Sequence, residues 1–387
     1  MPDPWTTLRA EMPVTANWAY FDHAAVAPLS RPAVDALREW ADDVANNGDV
    51  NWPRWRKQVE DVRRLAAELL NADATEIALV RNTTEGITLV AEGLRWQPGD
   101  NVVVPAAEFP SNLYPWLNLR DRGVEIRLVE SNDWRAEQLD PNRIADAVDD
   151  RTRIVAVSWV GYQTGWRNDL DELAGIAHDK GALLFVDAIQ GLGVFPLDVR
   201  KTPVDFLAAD GHKWLLGPEG AGVLYIRRER LDDLRPLGVG WNSVKHAGDF
   251  SRTELDLKDS AGRYEGGSYG MGNIAALGAS LELLRRIPGI SENPWDVTRL
   301  AERLIDLTNR LCERLEGIGA DVLSCRDEGR ASGIVSFRMP GRDSKSIQQG
   351  CRAKGVVVNC RGGAVRLSPH AYTDEGDIER LLAALGS

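Results

Sequence analysis

Two short apolar runs, each stopped by charged residues, constrain this chain more than any other feature. Residues 182–186, Ala-Leu-Leu-Phe-Val, follow a helix-like segment and are apolar without interruption. Such a run reads as a strand buried on both faces of a parallel sheet, because polar alternation is lost when helices cover both sides. The run ends at Asp187. In open α/β sheets the ligand crevice lies at the carboxyl ends of the strands, so Asp187 stands where a site would be. A second apolar segment, residues 206–209, stops at Asp210-Gly211-His212-Lys213 and brings a lysine to the same edge.

An acid and a lysine at neighbouring strand ends suit pyridoxal phosphate (PLP). Its aldehyde needs an amine for covalent anchorage, and its ring nitrogen needs an anion to stay protonated and act as an electron sink. Lys213 and Asp187 are assigned these roles. Gln190, one short turn beyond Asp187, is placed to donate to the phenolic oxygen, and Asp210 and His212 are further candidates for cofactor contacts. Taken singly, Lys213 would read as a solvated loop residue and Asp187 as a helix N-cap. The pair, inside an apolar and glycine-flanked stretch, favours the cofactor.

The segments VDAIQ and DGHKWLLGPEGAGVLY resemble the signature of the class V aminotransferase group of fold-type I PLP enzymes. That group includes cysteine desulfurases, selenocysteine lyases, kynureninases and isopenicillin N epimerase. The resemblance covers nearly the whole chain and is specific for cofactor and fold, much less so for reaction. It implies an α/β architecture with a mixed, mostly parallel sheet in a large domain and a smaller α+β C-terminal domain. The expected division is an N-terminal arm at 1–20, a PLP-binding domain at 21–287 and a small domain at 288–387.

Size and charge agree with this. A chain of 387 residues exceeds what one compact core usually holds. The net charge of −12 argues against nucleic acid or an anionic membrane as the main partner. The N-terminal residues lack a basic start followed by an apolar core, and no 18-residue apolar run is present, so the expected location is the cytoplasm. Cys312, Cys325, Cys351 and Cys360 show no CxxC spacing and no clustering with histidine, which argues against a metal site and suits a reducing compartment.

In chain order, residues 20–25 read as an extended arm. In the resembled family this arm lies along the active site of a dimer, which makes His23 a candidate substrate-side residue. Residues 33–70 are helical with a break near Gly48 and Pro53. The apolar run 77–80 leads into Arg81-Asn82-Thr83-Thr84-Glu85-Gly86, which opens a helix; unpaired N–H groups and the helix dipole favour a phosphate there. The same residue types would serve a plain capping box. Thr83 and Thr84 also match the family's phosphate-binding turn. Further strands are expected at 101–105, 125–129, 154–157 and 223–226, the last closing the sheet, with helices at 142–148 and 170–180 between them. Residues 237–262 read as a loop crossing to another subunit. Ser268 matches a family turn whose hydroxyl binds the neighbouring protomer's cofactor phosphate, which implies a homodimer. A hinge is expected at 288–294 and a long amphipathic helix at 295–315. Arg366 matches the family's arginine for the substrate α-carboxylate, a task suited to a bidentate donor. Arg361 is a candidate for a second substrate group.

Two departures bear on the reaction. Phe109 stands where desulfurases and many relatives carry a histidine; it can stack on a cofactor ring but cannot move a proton. Cys360 lies close to the strand bearing Arg366, with no long loop to swing it as a persulfide carrier. Together these resemble the epimerase-like and kynureninase-like branches. The expected function is therefore chemistry at the α-carbon of an amino acid through covalent anchorage at Lys213: epimerisation, transamination or β-elimination. The alternatives are a cysteine desulfurase or selenocysteine lyase and, of a different class, a non-catalytic binding protein on the same fold.

Overall fold

The computed structural model describes residues 3–131, 137–286, 295 and 297–386. Thirteen strands occur among them: β1 (Ala19–Tyr20), β2 (Ile77–Val80), β3 (Asn101–Pro105), β4 (Glu125–Val129), β5 (Thr152–Ser158), β6 (Leu183–Asp187), β7 (Phe206–Asp210), β8 (Gly222–Ile226), β9 (Asp321–Val322), β10 (Val335–Arg338), β11 (Val356–Val357), β12 (Asn359–Arg361) and β13 (Ala364–Leu367). Seven of them form a sheet in the order β2-β8-β7-β6-β5-β3-β4. All neighbours pair in parallel except β8, which runs antiparallel to both β7 and β2. The expectation that residues 223–226 close the sheet is corrected: β2 takes the edge and β8 lies inside it.

Side chains alternate between two apolar layers. Val155, Val157, Leu184, Val186, Leu207 and Ala209 face one, and Ile154, Ala156, Leu183, Phe185, Phe206 and Ala208 face the other. Both layers are buried, which is why these strands carry no polar alternation. The helix Thr83–Gly93 approaches the sheet closely at Gly86, where an added Cβ would lie 2.7 Å from the Cβ of Ala208. That approach sets its N-terminus at the carboxyl end of β7.

The second sheet is smaller, ordered β12-β13-β10-β9 and antiparallel throughout. It accompanies the helices Thr298–Gly317, Ser344–Ala353 and Glu375–Leu385. The first of these begins three residues later than expected, and the expected hinge at 288–294 lies outside the described residues. The arm is tied to this part of the chain: β1 pairs in parallel with β11, and Asp22 bridges to Ser368. Residues 237–260 contain neither helix nor ladder strand; Val244 and Leu257 form an isolated bridge, and Phe250 is 82% exposed.

One buried ion pair locks the sheet edge to the turn that carries Ser268. Arg63, on the helix Trp52–Leu70, meets Glu265 in a two-point contact of 2.5 and 2.9 Å, and Glu265 also accepts the Leu79 N–H at 2.7 Å. Removing the carboxylate leaves a guanidinium buried with its main partner gone, which costs far more than a surface pair is worth. Glu265→Ala is expected to lower unfolding free energy by about 3–5 kcal/mol in urea titration; a loss below ~1 kcal/mol would show that Glu60, which also bonds Arg63, suffices alone.

Candidate active site

The parallel strands end in polar residues at one edge, and the ladder register puts them side by side. Ser158 of β5 pairs with Asp187 of β6, and Asp187 pairs with Ala208 of β7, two residues before Asp210. These ends floor a cavity of about 310 Å³. Lys213, Asp187, Thr83, Thr84, Phe109, Gln190, Asp210, His212, Arg361 and Arg366 all line it, so ten of the twelve residues singled out from the sequence converge.

Lys213 is 8% exposed. Burial pushes its amine down to about 8; the neighbouring charge of Asp187 opposes that shift and the cation of Arg366 adds to it. Asp187 is 3% exposed, and burial pushes its carboxyl up to about 6, against the Ile189 N–H that donates to its Oδ1 at 3.1 Å and the charge of Lys213. The lysine Nζ lies 5.7 Å from the centroid of the Phe109 ring, which is half exposed to the cavity and meets the Tyr162 ring edge-on at 5.2 Å.

The helix Thr83–Gly93 is capped by Asn82, whose Oδ1 accepts the Glu85 N–H at 2.8 Å. Glu85 reaches the N–H of Arg81 rather than that of Asn82, so half of the capping box forms. Thr83 is buried and accepts the Asp210 N–H at 2.9 Å, whereas Thr84 is exposed and bonds Ser111 at 2.8 Å. Asp210 lies 2.9 Å from His212 Nδ1. Gln190 uses its amide within the fold, donating to Ala24 O at 2.9 Å and accepting from the Trp214 indole at 2.8 Å.

Arg366 arrives from β13 of the smaller sheet. It is 1% exposed, donates to Tyr162 O at 2.6 Å and lies 3.4 Å from Asp22 Oδ1, while its buried Nε finds no partner among the described residues. A buried guanidinium with spare N–H capacity facing a cavity is suited to a carboxylate ligand. Arg361, at the end of β12, is exposed at the cavity mouth.

His23, expected on the substrate side, lies elsewhere. His23 is fully buried, bonded to Ser368 O at 2.9 Å and to the Tyr372 hydroxyl at 2.7 Å, and burial brings its ring down to about 4. It does not line the cavity, because the arm turns it into a cluster with Trp214, His370 and Tyr372. Ser268, expected to serve the neighbouring protomer's cofactor, is exposed on a groove beside Arg81 and Asn82, apart from its own chain's Lys213.

Sequence reasoning missed Glu108 and Asp22. Glu108 follows β3 at the same edge and accepts the Ser158 N–H at 2.5 Å as well as its hydroxyl; burial, aided by the charge of Asp187, pushes it up to about 8. A carboxylate three residues past a strand end was the available signal. Asp22 accepts from Asn359 at 2.6 Å beside Arg366, a long-range pairing that leaves no local mark.

This donor set fits PLP. The cavity supplies a buried amine close to its free-base range, a buried carboxylate, an aromatic face and a helix N-terminus with two hydroxyls.

Comparisons with known proteins agree with that fit. The model of the family Aminotransferase class-V matches residues 19–381. A protein described as "Probable cysteine desulfurase" from Methanothermobacter thermautotrophicus is 33% identical over 97% of this chain and 95% of its own length. "Cysteine desulfurase" of Escherichia coli strain K12 is 32% identical over 94% of this chain and 88% of its own. Among solved structures, the apo cysteine desulfurase of Thermococcus onnurineus has a TM-score of 0.87 at 27% identity, covering 98% of this chain and 96% of that one. The cystine C–S lyase C-DES, solved with its reaction product cysteine persulfide, has a TM-score of 0.89 at 24% identity, covering 97% and 99%, a likeness of fold. The chain belongs to the class-V aminotransferase family of PLP-dependent enzymes.

Proposed function

We propose that this enzyme cleaves the C–S bond of a sulfur-bearing amino acid such as cysteine or cystine, releasing the sulfur directly instead of storing it on one of its own cysteines. The observation that carries the proposal is the make-up of the cavity: Lys213, Asp187 and Arg366 line it, and none of the cysteines does among the described residues. Cys360 is held in a regular ladder opposite Val365, in a hairpin turned by Gly362 and Gly363. A thiol so fixed has no long loop with which to sweep into the site. The descriptions of similar proteins as cysteine desulfurases support sulfur chemistry over epimerisation or transamination, while release by β-elimination, one of the reactions expected from the sequence, rests on the cavity lining. The exposed position of Ser268 supports a homodimer, and four cysteines outside any disulfide support a cytoplasmic setting. No helix among the described residues is long and apolar enough to cross a membrane.

Bound PLP would supply an electron sink at the substrate α-carbon, held by Lys213 and Asp187, by Phe109 against its face and by the Thr83–Thr84 helix end at its phosphate. Arg366 then holds the substrate carboxylate through its unspent N–H groups. Lys213 Nζ takes the proton from Cα, since Phe109 has none to exchange. The Cβ–S bond breaks with its electron pair leaving on sulfur. Glu108, placed beside Asp187 and pushed up to about 8 by burial, carries a proton at neutral pH and spares the site a second adjacent negative charge.

Product analysis tests this reading. Direct elimination from L-cystine or L-cysteine yields pyruvate and ammonia, whereas persulfide transfer yields alanine. Pyruvate as the main product, with Cys360→Ser at wild-type turnover, is expected; alanine formation lost in that variant would overturn the proposal. Lys213→Ala is expected to cut turnover by at least about a hundredfold. For protein freed of cofactor, the rate of PLP capture, followed by visible absorbance, should rise with pH through about 8 as the Lys213 amine loses its proton. Asp187→Asn should move that midpoint down, because the anion that favours the protonated amine is gone; an upward shift would contradict the electrostatics described above. A protein that captures no PLP at any pH would favour the non-catalytic alternative.

A further inference from the structure

The loop after β5, Gly161-Tyr162-Gln163-Thr164-Gly165, stands between the two sheets. On one side Tyr162 lines the cavity and its carbonyl receives Arg366 at 2.6 Å. On the other, Gln163 O accepts the Ser336 hydroxyl and Thr164 O accepts that of Ser324 at 2.6 Å, both from the smaller-sheet region. The loop itself is gripped from beneath by one carboxylate. Glu137, 7% exposed, accepts the N–H of Gln163 at 3.0 Å on each oxygen, the N–H of Thr164 at 2.8 Å and the Thr164 hydroxyl at 3.2 Å.

Two backbone features show how tightly this grip is built. Glu137 adopts φ +54°, a left-handed conformation that costs a non-glycine side chain about 1–2 kcal/mol. Gly161 leaves no room for a side chain: an added Cβ would lie 2.4 Å from Glu137 Oε2, 2.8 Å from its carboxyl carbon and 3.3 Å from its Cβ. All three nearest atoms belong to Glu137. The carboxylate is also within electrostatic reach of Arg366, whose charge favours its ionised form against burial.

We infer that Glu137 is a positioning residue for Arg366: by clamping the 161–164 loop it fixes the Tyr162 carbonyl, and through it the guanidinium that receives the substrate carboxylate. The inference rests on the proposed role of Arg366. It makes substrate affinity, rather than the chemical step, the quantity that Glu137 controls.

Glu137→Gly separates this from a merely structural role, because glycine is at ease at φ +54° while the clamp is lost. PLP-loaded protein is titrated with L-alanine, which has a carboxylate but no sulfur to expel, and binding is followed by the visible spectrum. The expected result is a dissociation constant raised about tenfold or more, with cofactor loading unchanged and KM affected more than kcat in the C–S cleavage assay. Gly161→Ala should weaken binding similarly by displacing the carboxylate, yet add little in the Glu137→Gly background, where the clash is removed. Arg366→Lys is the control. If it weakens alanine binding and Glu137→Gly does not, the inference is overturned while the reading of Arg366 stands; if Arg366→Lys has no effect, that reading fails first and takes the inference with it. Should Glu137→Gly not fold, Gly161→Ala carries the same test, and unchanged binding there overturns the inference.

Discussion

The meeting of Asp187 and Lys213, both nearly buried at one edge of the sheet, is the constraint on which the site depends. Neither charge is comfortable there: burial raises the acid to about 6 and lowers the amine to about 8. Each moderates the other's shift. An isolated buried lysine would fall further toward neutrality, and an isolated buried carboxylate would hold its proton. The sheet enforces the proximity, because β6 is covered on both faces and must end where its helix layers end. Asp187 is therefore left nearly buried on the cavity floor, and the first turn after β7 returns Lys213 to the same edge. Strain in the electrostatics and regularity in the sheet are one fact seen at two scales.

The second dependence is between the two sheets. Lys213 and Asp187 belong to the large sheet, whereas Arg366 belongs to the small one. The Lys213 amine and the Arg366 guanidinium thus keep their relative positions only if the seam between the sheets holds. Around Arg366 the seam includes the arm at Asp22, the loop at Tyr162 and the ladder that carries Arg366 beside Asn359. Hydrogen bonds to a charged group are the stronger kind, and here they are removed from water. That combination places a long, flexible side chain in one position before any substrate arrives, which lowers the ordering cost of binding.

Chemistry at the cavity follows from what its lining lacks as well as what it holds. In the proposed reaction Phe109 has no proton to exchange, which leaves Lys213 as the proton carrier, with the carboxyl of Glu108 near Asp187 as a further titratable group. Cys360 is held in a hairpin and no cysteine is among the described lining residues, so under the proposed C–S cleavage the departing sulfur meets no thiol there. Both features were visible as departures from a family pattern. The same departures fit the proposed elimination without a persulfide carrier as well as they fit epimerisation.

How much was legible in the sequence follows a physical rule. Strands buried on both faces leave uninterrupted apolar runs, so β6, β7 and their terminal Asp187 and Asp210 could be read directly, and the Lys213 turn came with them. The helix N-terminus at Asn82-Thr83-Thr84 was legible because capping and anion binding demand the same residue types within one turn. Contacts between residues far apart in the chain left no such trace. The placement of β8 inside the sheet, the inward turn of His23, the Glu108–Ser158 bond and the Glu137 clamp depend on which surfaces pack together. The sequence alone determined the cofactor chemistry, because that chemistry resides in local patterns at strand and helix ends. Only the tertiary structure decided how Arg366 is held, which histidine is hidden and which carboxylate grips the 161–165 loop, because those outcomes are set by burial and by pairing across tens to hundreds of residues.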